Sequence, residues 1–334
     1  MTLPEHGGKR WLQLLIGVAI SALMIWLAFR KQDLAVVWQH VQSMRWPPML
    51  LAVVVATLPF ALRVPRWQAL LRREDGSRIG AAPMWHAIAM GFAANNTLPF
   101  RLGELLRVGA IARLAPVPFS SALSSLVVER VIDALTVVAL FTGALVVVDI
   151  PMGGGAQAAA TRIGILGVIG LCVAVLAAAF PKRAEQAVAA LTPAGRVQDF
   201  AVKLTRRLLD GVMALRDPRR ALPVIAWSVI IWSVNAAAFW IAFRAFGIDA
   251  PFAAALILQF LLVLGIAPPQ APGFVGGFEL AIVGALLLFG VPQEIALAYA
   301  LTYHVTTFVP ITLLGAWSLV ATGLSLRSAR EAAT

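Results

Sequence analysis

Along the chain, long apolar runs alternate with short stretches in which Lys and Arg collect. Runs at 11–29, 48–62, 120–148, 163–180, 222–243 and 296–322 are each predicted to form a transmembrane helix. At about 1.5 Å per residue, about 20 apolar residues cross a hydrocarbon core of about 30 Å. The first run follows Lys9 and Arg10 and ends in Phe29-Arg30-Lys31 rather than at a small-residue cleavage site, so a signal anchor is expected. Two more apolar stretches, 82–114 and 252–290, do not read as single spans. NNTLPFRLGELLR (Asn95 to Arg107) breaks the first and PPQAPGFVGGFE (Pro268 to Glu279) breaks the second. A Pro, a Gly four residues on and then a Glu thus recur about 173 residues apart, with Pro99 and Gly103 answering Pro272 and Gly276. Pro removes a backbone donor and Gly weakens helix, so each stretch is expected to be a re-entrant hairpin of half-helices.

Basic residues set the expected orientation. Arg63, Arg66, Arg72, Arg73 and Arg78 form one basic loop, and residues from Lys182 to Arg220 form another. Both are predicted to be cytoplasmic, while 149–161 and 247–251 lack Lys and Arg and are predicted to be external. Counting crossings then makes the two hairpins enter from opposite faces. The likeness continues beyond them, because Val117-Pro118 precedes Ala122-Leu123 as Val291-Pro292 precedes Ala296-Leu297, 174 residues on. The expected fold is an all-α polytopic membrane protein with about six full transmembrane helices and two oppositely oriented re-entrant helical hairpins. Its plan is an inverted repeat: an N-terminus at 1–10, repeats at 11–181 and 221–325, a basic linker at 182–220 and a tail at 326–334.

Composition supports a membrane protein and excludes a soluble one. Hydrophobic residues make up 60% of the chain, charged residues only 13%, and mean hydropathy is +0.85. The net charge of +11 does not point to nucleic acid, because the basic residues lie between apolar spans where the positive-inside rule accounts for them. A single cysteine, Cys172, and four scattered histidines predict no disulfide framework, metal site or cofactor. A phosphate-binding G-x-x-x-x-G-K-[ST] loop is absent, so no ATP site is expected. The stretch 196–215 looks amphipathic and basic, as a helix on an anionic leaflet would.

Six charges fall where apolar residues belong. The first hairpin carries Arg101, Glu104 and Arg107, and the next span carries Glu129, Arg130 and Asp133. Each would cost about 2.5–3.5 kcal/mol at the centre of a membrane helix unless paired or hydrated. Glu104 and Arg107 are spaced to pair, and Glu129 and Asp133 share a face with Arg130 about 100° away. One reading is a structural network pinning the hairpin to the span. The other is a hydrated site in which Arg101, Arg107 and Arg130, helped by Asn96, hold an anionic or polar head group while the carboxylates position them or carry protons. The second hairpin, with Pro272, Gly273, Gly276 and Glu279, is expected to act with Pro99 and Gly103 as a gate. At the repeat offset Arg130 maps onto His304, which is read either as a packing residue or as proton-linked. Asn95, Asn96, Asn235 and Gln270 are expected as interhelical glue or helix caps.

Together, N-x-L-P-x-R-x-G-E-x-x-R (Asn96 to Arg107), E-R-x-x-D (Glu129 to Asp133), RWQALL (Arg66 to Leu71) and P-G-x-x-G-x-x-E (Pro272 to Glu279) resemble the lysylphosphatidylglycerol synthase transmembrane family. This is the flippase-like membrane domain of the bacterial multiple peptide resistance factor, also found alone. The resemblance, over about residues 11–325, implies a lipid translocase of the bacterial inner membrane with both termini cytoplasmic, membrane lipids as substrate and surroundings, and no catalytic residues. Homo-oligomerisation stays open. Synthases of the family carry a soluble catalytic domain after the membrane part, whereas this sequence ends about ten residues beyond Leu324, so a stand-alone member without lysyl transfer is expected. Two rivals remain: an integral-membrane enzyme acting on a lipid-linked phosphate or sugar, and a non-transporting scaffold.

Overall fold

The computed structural model describes residues 6–30, 32–98, 102–148, 180–193, 218–268 and 270–324, with positions 162, 165, 169, 170, 195, 198, 199, 202 and 205. Among them the regular elements are helices: α1 His6–Phe29, α2 Leu34–Ser43, α3 Trp46–Leu70, α4 Ala81–Thr97, α5 Gly103–Leu114, α6 Phe119–Val147, α7 Pro181–Leu191, α8 Pro218–Phe243, α9 Phe252–Gly265, α10 Gly277–Leu287 and α11 Gln293–Thr322. An antiparallel bridge between Arg72 and Arg78 closes the loop after α3. The predicted span 163–180, the external loop 149–161, the amphipathic stretch 196–215 and the tail fall mostly or wholly outside the described residues.

Four helices, α3, α6, α8 and α11, are long and apolar enough to cross a membrane. Their surfaces have the polarity of a bilayer protein. On α11 Val305, Val309, Leu313, Trp317 and Val320 are exposed, spaced so as to form one stripe, while Tyr299, Tyr303, His304 and Thr307 are buried on the other side. Large apolar side chains outside and ionisable ones inside reverse the soluble pattern. The chain is therefore an all-helical, multi-pass membrane protein.

Two helices depart from expectation. The second predicted span ends at residue 62, before the arginines, yet α3 continues to Leu70 through Pro59 and Pro65. Arg63 and Arg66 are therefore buried side chains of a long helix and not members of a surface loop. Helix α2 was not foreseen, being too short to span; Asp33 caps it by accepting the Ala35 N–H at 2.8 Å.

Packing positions the site. α3 lies against α8. α4 packs on α5 and α11, α9 packs on α10 and α6, α5 rests on α6, and α10 rests on α11. Both short-helix pairs meet through glycine: a Cβ at Gly103 would overlap the Gly91 carbonyl and Asn95, and one at Gly265 would sit 2.6 Å from the Cβ of Ala281. The turn before α10 needs left-handed backbone at Gly273 (φ 77°) and Gly276 (φ 95°). Phe274 between them is held at φ 59°, a strained conformation for a bulky residue.

Candidate functional site: a buried arginine–carboxylate cluster beside a cavity

Helix α6 presents Glu129, Arg130 and Asp133 toward α3, α5 and α8. Glu129 has no solvent exposure and receives three guanidinium groups. Arg107 from α5 donates to both of its oxygens at 2.7 and 3.0 Å, Arg66 from α3 reaches it at 2.9 Å, and Arg130 at 3.1 Å. Asp133 accepts from Arg66, from Trp232 Nε1 of α8 at 2.8 Å, and lies 3.7 Å from Arg130. Arg66 also donates to Ser228 Oγ at 3.1 Å. The Arg107 guanidinium sits 3.9 Å from the Trp67 ring centroid, and Trp67 Nε1 donates to Ser125 Oγ at 2.9 Å. Four helices are thus tied at one point. Buried charges are tolerated there because each carboxylate meets guanidinium groups, although the Nε atoms of Arg66, Arg107 and Arg130 are left without a hydrogen-bond partner among the described residues.

The cluster forms one wall of a cavity of about 300 Å³. The lining includes Arg63, Gly91, Phe92, Asn95, Asn96, Gly103, Glu104, Arg107, Arg130, Asp133, Ala134, Val137, Trp232, Val263, Ile266 and Phe274. Arg130 is the accessible member of the network, with its side chain 39% exposed and 3.6 Å from Glu104. Arg63 is buried against Phe92 and Phe60, with its guanidinium 4.9 and 5.7 Å from their ring centroids. It forms no hydrogen bond or ion pair among the described residues, and its Nε is buried without a partner. The Oδ1 of Asn95 is likewise buried and unpartnered.

Of the residues singled out in the sequence, Glu104, Arg107, Glu129, Arg130 and Asp133 come together here, with Gly103 and Asn96 on the cavity wall. Asn96 spends its amide on Thr312 Oγ1 at 2.9 Å, and Asn235 bonds Gln259 at 3.0 Å. Pro99 and Arg101 lie outside the described residues. The expected Glu104–Arg107 pair does not form. Arg107 turns to fully buried Glu129, and Glu104 faces Arg130, because contacts between helices satisfy both charges better than a pairing along one helix surface. Arg63, Arg66, Ser228 and Trp232 were not foreseen. Two buried carboxylates one turn apart, lacking enough nearby cations, were the available signal.

The second hairpin builds a separate, smaller centre. Glu279 accepts the Gly276 N–H at 2.7 Å, and its other oxygen lies 2.6 Å from His304 Nδ1. His304 stacks on Phe278 at 4.0 Å. The turn at Pro272–Phe274 meets the end of α4, where a Cβ on Gly273 would lie 3.6 Å from the Asn96 carbonyl. Among the described residues no three His, Cys, Asp or Glu side chains are grouped to hold a metal.

A bilayer-dressed helical protein with a charged interior cavity is the class that fold and site define. Residues 14–315 match the lysylphosphatidylglycerol synthase TM region, and the chain belongs to that family. It is 23% identical over 320 residues to a UPF0104 membrane protein of Methanothermobacter thermautotrophicus, covering 89% of this chain and 88% of the relative. It is also 25% identical over 310 residues to glycosyltransferase AglD of Haloferax volcanii, covering 84% of this chain. The matched region spans 50% of that longer relative.

Proposed function

We propose that this protein is a lipid translocase that moves a polar or anionic lipid head group across the cytoplasmic membrane by alternating access. The observation that carries the reading is the cavity of about 300 Å³, walled by arginines and carboxylates and set among helices whose outer faces are apolar. A hydrated, charged chamber at bilayer depth is costly, and the use that accounts for it is to receive a polar group out of contact with the hydrocarbon.

The packing supports an inverted repeat in which α3–α6 correspond to α8–α11. Each contact then has a counterpart: α4 on α11 with α9 on α6, α4 on α5 with α9 on α10, α3 on α11 with α8 on α6. Gly91 and Gly103 recur as Gly265 and Gly277, 174 residues on, which aligns Gly103 with Gly277 rather than with Gly276. The first-turn acid of each short arm faces a base on the long helix that follows: Glu104 with Arg130, Glu279 with His304. Arms α5, α9 and α10, with 12, 14 and 11 residues, span at most about 21 Å, so re-entrant hairpins entering from opposite faces are the economical arrangement. In this scheme the turn at Gly273 to Gly276 closes on α4 as the gate, and both termini face the cytoplasm.

Lipid reorientation in proteoliposomes tests the reading. Wild-type protein should carry labelled phospholipid between leaflets faster than protein-free vesicles, and Arg130→Ala with Glu104→Ala, folded, should return the rate toward the blank. An unchanged rate in that variant would sink the proposal. A second reading is kept because one relative is named a glycosyltransferase: a membrane enzyme working on a lipid-linked sugar or phosphate. It requires product formation in detergent, where a translocase has no leaflets to connect.

A further inference from the structure

We propose that Arg63, with Arg130, holds the phosphate of a phosphodiester head group, and that the fixed charge of the cavity selects against cationic head groups. For its lipid, this rests on the translocase reading above.

Among the described residues the charges around the cavity do not balance. Arg66 and Arg107 are ion-paired through their terminal nitrogens with Glu129 and Asp133, and Arg130 is shared among Glu104, Glu129 and Asp133. Counting Arg63, four guanidinium groups face three carboxylates among the described residues, an excess of one positive charge. The excess is localised. Arg63 is only 8% exposed, lines the cavity, and has aromatic rings as its close neighbours instead of a carboxylate. A cation so buried and unpaired is stabilised by an anion that enters the cavity, and a guanidinium fork suits phosphate oxygens.

Two further observations fit a phosphodiester. Arg130, at the same cavity and 39% exposed, can give up a share of its contacts to a second phosphate oxygen. Asn95, with its side-chain Oδ1 buried and unpartnered, offers an amide that can turn to donate or accept. Phe92, Val137, Val263, Ile266 and Phe274 give the cavity an apolar part that suits the start of the acyl chains. Among the described residues, one monoanion closes the charge balance. An aminoacylated head group with net positive charge would raise the excess and leave its ammonium beside Arg63 and Arg130.

Binding in detergent separates this proposal from transport, since it needs no leaflets. Native mass spectrometry of the full chain would be run with phosphatidylglycerol, lysyl-phosphatidylglycerol and phosphatidylcholine in mixed micelles, and with inorganic phosphate alone. Phosphatidylglycerol should bind at least tenfold more tightly than lysyl-phosphatidylglycerol. Arg63→Gln should weaken phosphatidylglycerol at least tenfold, with Arg63→Lys intermediate. Equal affinity for the anionic and cationic lipids, or an Arg63→Gln variant that binds as wild type does, would overturn the proposal. Inorganic phosphate that competes as strongly as phosphatidylglycerol would overturn the lipid assignment in favour of a free-phosphate site. Should Arg63→Gln fail to fold, Asn95→Asp decides: added negative charge must weaken phosphatidylglycerol and favour the lysyl lipid, and no change in their ratio refutes the claim. Selective binding without lipid reorientation would leave this site standing and remove the translocase reading; the reverse result would do the opposite.

Discussion

Replacing Glu129 by Gln keeps the shape of the side chain and removes the charge on which three arginines converge. The consequences differ among them. Arg66 and Arg130 retain Asp133, but Arg107 makes both its carboxylate bonds to Glu129 and keeps only a neutral amide oxygen and the Trp67 ring. Stranding one buried charge in this way costs about 3–5 kcal/mol, and a cation–ring contact of up to about 2 kcal/mol offsets only part of it. Glu104→Gln is the control, because its partner Arg130 is 39% exposed and a solvent-screened pair is worth at most about 1 kcal/mol. In thermal unfolding of detergent-solubilised protein, Glu129→Gln should lower the melting temperature by about 5–10 °C and Glu104→Gln by about 2 °C or less. Adding Arg107→Met to Glu129→Gln should recover part of the loss, since the stranded cation is gone. Equal melting of the two single variants, or a double variant less stable than Glu129→Gln alone, would refute a stranded Arg107 charge as the cause.

Other consequences are open to measurement. Gly103→Ala should destabilise by about 1–3 kcal/mol or more through overlap with the Gly91 carbonyl, whereas Gly143→Ala, with open space around its Cβ, should be neutral or stabilising by up to about 1 kcal/mol; chemical unfolding in mixed micelles compares them. Trp232→Phe deletes the 2.8 Å bond to Asp133 and should cost about 1.5–3 kcal/mol in the same assay, with the ring packing retained. Glu279→Ala frees both the Gly276 N–H and His304, so hydrogen exchange at the turn from Pro272 to Gly276 should accelerate while that of α6 stays as in wild type.

How far the sequence could be read depended on the range of the interaction. Apolar runs marked the positions of α3, α6, α8 and α11 because burial in lipid acts residue by residue, and no partner is needed to see it. The Pro and Gly breaks likewise marked the helix ends near Thr97 and Gly265, where local backbone chemistry decides. Arg63 and Arg66 were misplaced for the opposite reason. Hydropathy penalises an arginine wherever it stands, and the carboxylates that receive Arg66 lie more than sixty residues away, on α6. Arg107 shows the same limit, its neighbour in sequence, Glu104, losing to Glu129 across a helix interface. Glu129 and Asp133 stand out in the sequence as charges in an apolar run, but only the assembled helices show that the cluster they build is largely neutralised and that, among the described residues of the cavity wall, Arg63 is the cation without a carboxylate partner.

The central claim is that a polar head group passes through the cavity beside this cluster, and blocking the cavity without touching the cluster tests it most directly. Ala134 is exposed on the cavity wall and lies one residue beyond Asp133. In proteoliposomes carrying labelled phosphatidylglycerol, Ala134→Trp should slow lipid reorientation at least tenfold relative to wild type while the melting temperature stays within about 2 °C, a change of about 1 kcal/mol or less. Reorientation at the wild-type rate in that folded, blocked protein would contradict the account.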